Sequence, residues 1–466
     1  MVQLQRNQKQ EGALKLLNDL KLQFEKELWA LNPELAVIDT ILNNNPEIIE
    51  IVRKDITGGK EGSTMGRQDM PTVEQIVRAA IYKEMKNLTY RELEYEQHDS
   101  RMCAIFGKLD DRKPFSFEAY QKYISRISGE SLNKVMVAIN KIAMGEGIED
   151  GRSIRTDSTV VETDIHYPTN NSLIWDCIKT IDRLLKKLKE SGVEIKVRNY
   201  KKQAKKTHYT INNTKGKDKR EEEFKKQLKL LRSSINQAER ALTAPLPKTI
   251  GRWIEAQAIM KEIRELLPKT EKVYDISWRH EILGKAVPNK EKIFSIYEDH
   301  TDIIVKGKRE VEFGHKVNLA TGRSNLILDC TVLEGNPSDS TLYTDVIDRI
   351  HGNYGIVPRD MATDGGYASK DNARMAQEKG IVNIVFNKIV GSLKNIVRSK
   401  NIETRLKKWR SGIEAVISNL KRGYELFRCE WKTRARFDAK VYWNVIVYNI
   451  RVMTGALLAK MQTQMQ

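Results

Sequence analysis

Metal-assisted phosphoryl transfer draws hard oxygen ligands from several elements onto one or two divalent cations. Acidic residues near strand ends are therefore the first to weigh. Asp157 lies in SIRTDSTVVETDI (153–165), a stretch too rich in Thr and Val for a good helix and read as a strand. Asp164 follows at an odd number of positions, so an unbroken strand points the two to opposite faces and only one reaches a shared metal. Asp157 is the better placed, although a lone strand aspartate is more often an exposed or capping residue. Asp364 follows the short strand-like MAT and precedes Gly365 and Gly366. It sits either at a strand exit beside a ligand or in a simple glycine turn. Glu414 lies in WRSGIEAVISNLKRGYELF, read as part of one long amphipathic helix from about 403, whose apolar stripe runs from Ile413 to Phe427. Arg410, Glu414, Ser418 and Lys421 share one face of that helix. A carboxylate between two cations suits a metal ligand with phosphate-binding neighbours, or an ordinary surface ion pair.

The elements that must position these residues alternate in type. After the first strand the chain turns helical and charged from about 175 to 300, including the uncompensated run YKKQAKK at 200–206. That run is a solvated helix face or a nucleic-acid contact. Strand signals return in DIIVKG, EVEFGHKVNLAT and NLILDCTVLEG, the last two joined by a turn at 322–324. A helix over DSTLYTDVIDRIHG, the strand at 361–366, a helix over SKDNARMAQEKG and the strand IVNIVF follow. This order predicts an α/β arrangement around a mixed sheet, closed by the apolar helix ARFDAKVYWNVIVYNIRVMTGALLAKM. Ahead of the first strand the chain is all helical. Leu16, Leu17, Leu20 and Phe24, then Ile38, Ile41, Leu42, Ile48, Ile49 and Val52, recur at helical spacing, with a flexible break at 58–66. Two or three short helices over 71–109, with Pro71 as a helix-start residue and Thr89 capping before Glu92, form a helix-turn-helix reader or a small bundle.

Composition narrows the partners. Lys plus Arg number 80 against 62 Asp plus Glu, a net +18 that favours polyanions such as nucleic acid. At 466 residues the chain exceeds one ordinary core. Cys103, Cys177, Cys330 and Cys429 lie far apart without zinc-ligand spacing, which fits a reducing compartment. No GxxxxGK[ST] loop occurs, no run of eighteen apolar residues spans a bilayer, and MVQLQRNQKQEGALKLL lacks the core of a secretory signal. A cytoplasmic protein whose chemistry rests on carboxylates is expected.

Together four stretches resemble the insertion-sequence DDE transposases of bacteria. IRTDSTVVETDIHYPT is similar to that family's first-aspartate strand, and EFGHKVNLATGRSNLILDCTVLEGNPSDSTL to its hairpin and following loop. MATDGGYASKDNARMAQEKGI is similar to the second-aspartate segment, and the spacing Arg410, three residues, Glu414, six residues, Lys421 to the third-acid signature. Lys407 stands where the family often has a tyrosine. The resemblance implies an RNase H-like mixed sheet core flanked by helices over 151–174 and 307–427. A charged helical insertion would occupy 175–306, an all-α N-terminal, DNA-binding domain 1–150, and a helical segment packing on the core 428–466. It implies Asp157, Asp364 and Glu414 as the metal trio, holding two Mg2+ or Mn2+ ions roughly 3.5 to 4 Å apart, with Arg410 and Lys421 on DNA phosphate. Lys316 and His315, on the hairpin, either reach the phosphate or terminate a strand. Cleavage at transposon terminal inverted repeats, transfer of the freed 3′ hydroxyl into target DNA, a homodimer on DNA and a nucleoid-associated location follow as expectations. A transposase-derived DNA-binding protein without activity, or a nuclease that does not join, are the rival readings.

Overall fold

The computed structural model describes residues 27–59, 70–109, 113–306, 310–389 and 392–465. The helix expected over Leu16 to Phe24 and most of the break at 58–66 lie outside them. The chain divides into two compact units, Met1–Glu162 with His315–Gln466, and Thr163–Gly314.

In the first unit, eight helices precede the sheet among the described residues: α1 (Glu27–Leu31), α2 (Pro33–Asn44), α3 (Glu47–Thr57), α4 (Val73–Met85), α5 (Tyr90–Asp99), α6 (Arg101–Phe106), α7 (Phe117–Ile124) and α8 (Gly129–Gly145). Capping boxes start α4, with Thr72 and Gln75, and α5, with Thr89 and Glu92, each satisfying two otherwise orphaned backbone N–H groups. Pro71 stands one residue ahead of the Thr72 cap, outside the first turn, because the threonine side chain takes the capping position.

The strand β1 (Ser153–Thr163) opens the sheet, and the chain then leaves for the second unit. There α9 (Asn170–Glu190), α10 (Lys201–Asn213), α11 (Lys217–Leu242) and α12 (Ile250–Ser277) pack around their own core, with Ile174, Ile178, Leu185, Phe224, Leu231 and Ile263 buried. Gln227 and Asn171 are both buried, and the Gln227 amide N–H donates to Asn171 Oδ1 at 2.8 Å, tying α11 to α9. Helix α12 runs into a π-helical turn at Trp278–Ile282. The strand β2 (Asp302–Lys306) pairs antiparallel with the opening residues of β3 (Glu310–Thr321).

From His315 the chain is back in the first unit. It continues through the rest of β3, β4 (Ile327–Val332), α13 (Asp339–Tyr354), β5 (Asp360–Thr363), α14 (Lys370–Glu378), β6 (Asn383–Phe386), α15 (Lys400–Arg410), α16 (Gly412–Gly423), β7 (Arg428–Cys429) and α17 (Arg434–Met465). The seven-stranded sheet has the order β2-β3-β1-β5-β6, with β4 on β3 and β7 on β1. It is mixed: β1, β5 and β6 run parallel, whereas β3 and β4 form the expected antiparallel hairpin. The architecture is a mixed α/β sheet flanked by helices, as an RNase H-like core requires.

One buried apolar cluster extends from Leu35 in α2 to Leu457 in α17. Helix α17 touches α2, α4, α8 and β4, and buries Trp443, Val445, Ile446, Val447, Ile450 and Met453. Its buried Asn449 donates to Asn140 of α8 at 2.9 Å and to the Ile327 carbonyl of β4 at 2.8 Å, so helices and hairpin are keyed in one register. No described helix is long and apolar enough to cross a membrane, and all four cysteines are buried and in no disulfide.

The entry to β1 is pinned by a buried carboxylate. Glu149 accepts from the Gly151 N–H at 2.9 Å and from the Ser324 N–H, in the β3–β4 turn, at 2.8 Å. Glu149→Ala leaves those donors without their acceptor and is expected to cost about 1–3 kcal/mol of stability. The urea midpoint measures this, and an unchanged midpoint refutes the pin.

Candidate active site

The parallel register sets the first distance of the site. Thr156 of β1 lies opposite Thr363 of β5, so the next residues, Asp157 within β1 and Asp364 just past the end of β5, stand side by side. Asp157 stays within β1, whereas β1 ends at Thr163 and Asp164 falls outside the strand. Asp364 caps a short 3-10 turn, Gly365–Tyr367. A Cβ on Gly365 would meet the Asn387 and Lys388 carbonyls at 2.7 Å, so only glycine lets the turn pass the end of β6.

The third acid arrives on a broken helix. The single helix expected from about 403 is two, with α15 ending at Arg410 and α16 starting at Gly412. Arg155, buried on β1, supplies the physical reason. Its guanidinium donates to the Trp409 carbonyl at 2.5 Å and to Thr321 at 3.0 Å, and lies 4.8 Å from the centre of the Trp409 ring. A helix carbonyl taken by a side chain no longer holds the next turn, and residues that hydrogen-bond into the ladder are a regular cause of kinks. A Cβ on Gly412 would overlap that same guanidinium. Arg155 and Asp157 share a face of β1 by strand alternation, so one face both breaks the helix and meets what the break presents.

What it presents is Arg410. Its side chain is 7% exposed and bridges two carboxylates, donating to Asp157 Oδ2 at 2.5 Å and to Glu414 Oε1 at 2.9 Å, whereas Glu414 is 64% exposed. Arg410 thus joins Asp157 to Glu414. Asp364 stands apart from this bridge, and its buried Oδ1 has no hydrogen-bond partner among the described residues. A cleft of about 510 Å³ opens beside Asp364, lined also by Lys370 and Lys388.

A fourth carboxylate belongs to the group. Asp339, the first residue of α13, accepts from Ser158 Oγ at 3.0 Å and from Lys316 Nζ at 2.7 Å. Ser158 in turn meets the Tyr367 hydroxyl at 3.0 Å, and Asn318 donates to that hydroxyl at 2.6 Å. The sequence reading missed Asp339, Asn318, Ser158 and Tyr367. Asp339 was findable as the acid opening the helix after the hairpin, where negative charge suits the helix dipole; the other three carry no local signal.

The remaining candidates are placed as follows. Lys316 is buried and also donates to the Pro337 carbonyl at 2.8 Å. His315 is buried, edge-on to Phe437 with Arg434 at its Nδ1, at 3.2 Å. Lys421 is half-buried, its ammonium 5.9 Å from the Phe427 ring centre. Lys407 pairs with Glu403 at 2.6 Å along α15.

As a donor set for a divalent cation these oxygens fit in part. Asp157 and Asp364 offer hard ligands on adjacent strands, and the unpartnered Asp364 oxygen is one that a cation would satisfy. Glu414 is held off by Arg410, and no group of three acidic, His or Cys side chains is drawn together at metal-ligating distance among the described residues. Electrostatics agree with a shortage of positive charge. Burial pushes the Asp157 carboxyl up to about 6; Arg410 and the Ser158 N–H pull it down, and Asp364 and Asp339 add to the rise.

That shift has a sign. A carboxyl held above its unfolded value of about 3.9 keeps its proton longer in the folded state. Its contribution to stability is therefore full below about pH 4 and is lost as pH rises toward 6. Without divalent cation, Asp157→Asn is expected to be more stable than the parent at pH 8, by on the order of 2–3 kcal/mol, with the gap closing toward pH 4. Urea denaturation in a chelator at both pH values tests this; equal midpoints at pH 8 refute it.

Residues 298–450 match the family model of the transposase DDE domain. No curated protein and no solved structure gives a match. The matched segment carries Asp339, Asp364, Arg410 and Glu414 and leaves Asp157 outside it.

Proposed function

From the premise of a transposase DDE domain at residues 298–450, which makes DNA the partner, we propose that this chain is an active DDE transposase. It would cut transposon ends at their terminal inverted repeats and join the freed 3′ hydroxyl to target DNA. The observation that carries the proposal is the adjacent placement of Asp157 and Asp364 on parallel strands, with Glu414 linked to Asp157 through Arg410.

In this reading Asp157, Asp364 and Glu414 hold two Mg2+ or Mn2+ ions, with Asp339 close by. When bound, such ions polarise the phosphate and lower the pKa of a nucleophilic water or hydroxyl. The chain's own residues do the rest. The β1–β5 register sets the spacing of the two aspartates, and Gly365 lets the Asp364 turn pass under β6. Arg155 fixes the joint between α15 and α16, and so the approach of Glu414. Arg410 and Lys421 supply cations for DNA phosphate. Lys316 adds positive charge from behind, through Asp339. No covalent enzyme intermediate is needed, because water and then the 3′ hydroxyl are the nucleophiles at one site. The helices before β1 add DNA contact, and α10, in the other unit, offers a basic surface of its own in the exposed Lys201, Lys202, Lys205 and Lys206. Two protomers pair the two transposon ends.

The deciding experiment supplies DNA bearing the flanking inverted repeats with Mg2+ or Mn2+, and compares the parent with Asp157→Asn, Asp364→Asn and Glu414→Gln. Each change is expected to lower cleavage and joining by at least about 10²-fold while DNA binding persists, and binding of the parent falls steeply with salt. Ends bound but never cut by the parent mean a non-enzymatic DNA-binding protein. Cleavage without joining of a pre-cut 3′ end means a nuclease.

A further inference from the structure

We propose that Arg410 is a displaceable internal cation, which keeps the divalent metal out of the Asp157–Glu414 position until a DNA phosphate draws the guanidinium away. The inference rests on the proposed function, since it concerns how that same site is loaded.

Three observations carry it. First, the guanidinium uses separate nitrogens for the two carboxylates, Nη2 to Asp157 and Nη1 to Glu414. Both carboxylates are thereby neutralised by the group that would repel an incoming cation. A metal bridging Asp157 and Glu414 and an arginine bridging them are mutually exclusive occupants. Second, the side chain is not locked by its own fork, because Arg410 Nε is buried with no hydrogen-bond partner among the described residues. A phosphate oxygen accepting from Nε and one Nη restores that bond in the bidentate manner that guanidinium favours. Third, Arg410 is the last residue of α15, next to the break at Ser411 that separates it from α16. Arg410 and Glu414 thus lie on different helices, and a side-chain rotation of Arg410 leaves the joint that Arg155 fixes, and Glu414 with it, in place.

By linkage, a residue that competes with metal and binds DNA couples the two ligands, and each raises the affinity for the other by the same factor. Phosphate oxygens that themselves ligate the metal also couple them, so the discriminating measurement is made without DNA. Mn2+ binding to the full-length protein is followed by calorimetry and by electron paramagnetic resonance for the parent, Arg410→Ala, Arg410→Lys, and each of these combined with Asp157→Asn. Arg410→Ala is expected to bind Mn2+ about 10-fold or more tightly than the parent. Arg410→Lys, which keeps the charge but can satisfy only one carboxylate well, is expected to fall between them. A thermal unfolding midpoint shows that each variant is folded, and the lysine variant serves if alanine is not. Equal Mn2+ affinity in the parent and both variants, still abolished by Asp157→Asn, overturns the displacement model and leaves the metal site standing. Mn2+ binding indifferent to Asp157→Asn in every background overturns the metal site itself, and the displacement model with it.

Discussion

Placing two carboxylates side by side on neighbouring parallel strands creates a local excess of negative charge that the fold has to answer. The β1–β5 register makes Asp157 and Asp364 neighbours, and Asp339 stands within electrostatic reach of Asp157. Much of the surrounding architecture reads as the answer. Arg410 covers Asp157, Lys316 covers Asp339, and a chain of neutral donors, Ser158, Asn318 and Tyr367, connects the two halves of the group. Buried charge is tolerated when paired and costly when not, and burial raises the Asp157 carboxyl above the usual carboxylate range even with Arg410 pulling it down.

Arg155 has a different kind of importance. It never touches the acids, yet its guanidinium connects β1, the β3–β4 hairpin through Thr321 and Asn325, and the C-terminal turn of α15. A side chain on one element that donates to two others makes the relative placement of all three a single event. The orientation of the third acid is thereby decided on the first strand, far away in sequence.

Much of this was legible in the sequence. β-branched residues marked β1, the turn at 322–324 marked the hairpin, and the alternation of apolar runs with capped helical segments marked α13 through β6. Asp157 and Asp364 stood at strand positions that pattern alone can find. The break at Ser411 was not visible, because amphipathic spacing continues across it and its cause, Arg155, lies on another element. Nor was the bridging role of Arg410: helical spacing places it near Glu414, but only the sheet register brings Asp157 to its other side. Nothing local marks Asn449 and Asn140 as the buried pair on which α8, α17 and β4 meet.

Helix α17 has a consequence for the chain as it is made. It is synthesised after the other described elements, yet it covers α2, α4 and α8, which are made long before it. The parallel β1–β5 pairing likewise spans the whole of the Thr163–Gly314 unit. Contacts of such sequence separation form late. The second unit, whose helices contact their neighbours in sequence, can settle on the ribosome, while the apolar faces of the N-terminal helices wait uncovered. The growing chain therefore passes through an interval in which apolar surface on α2, α4 and α8 has been made but the helix that covers it has not, and such exposed surface is prone to association.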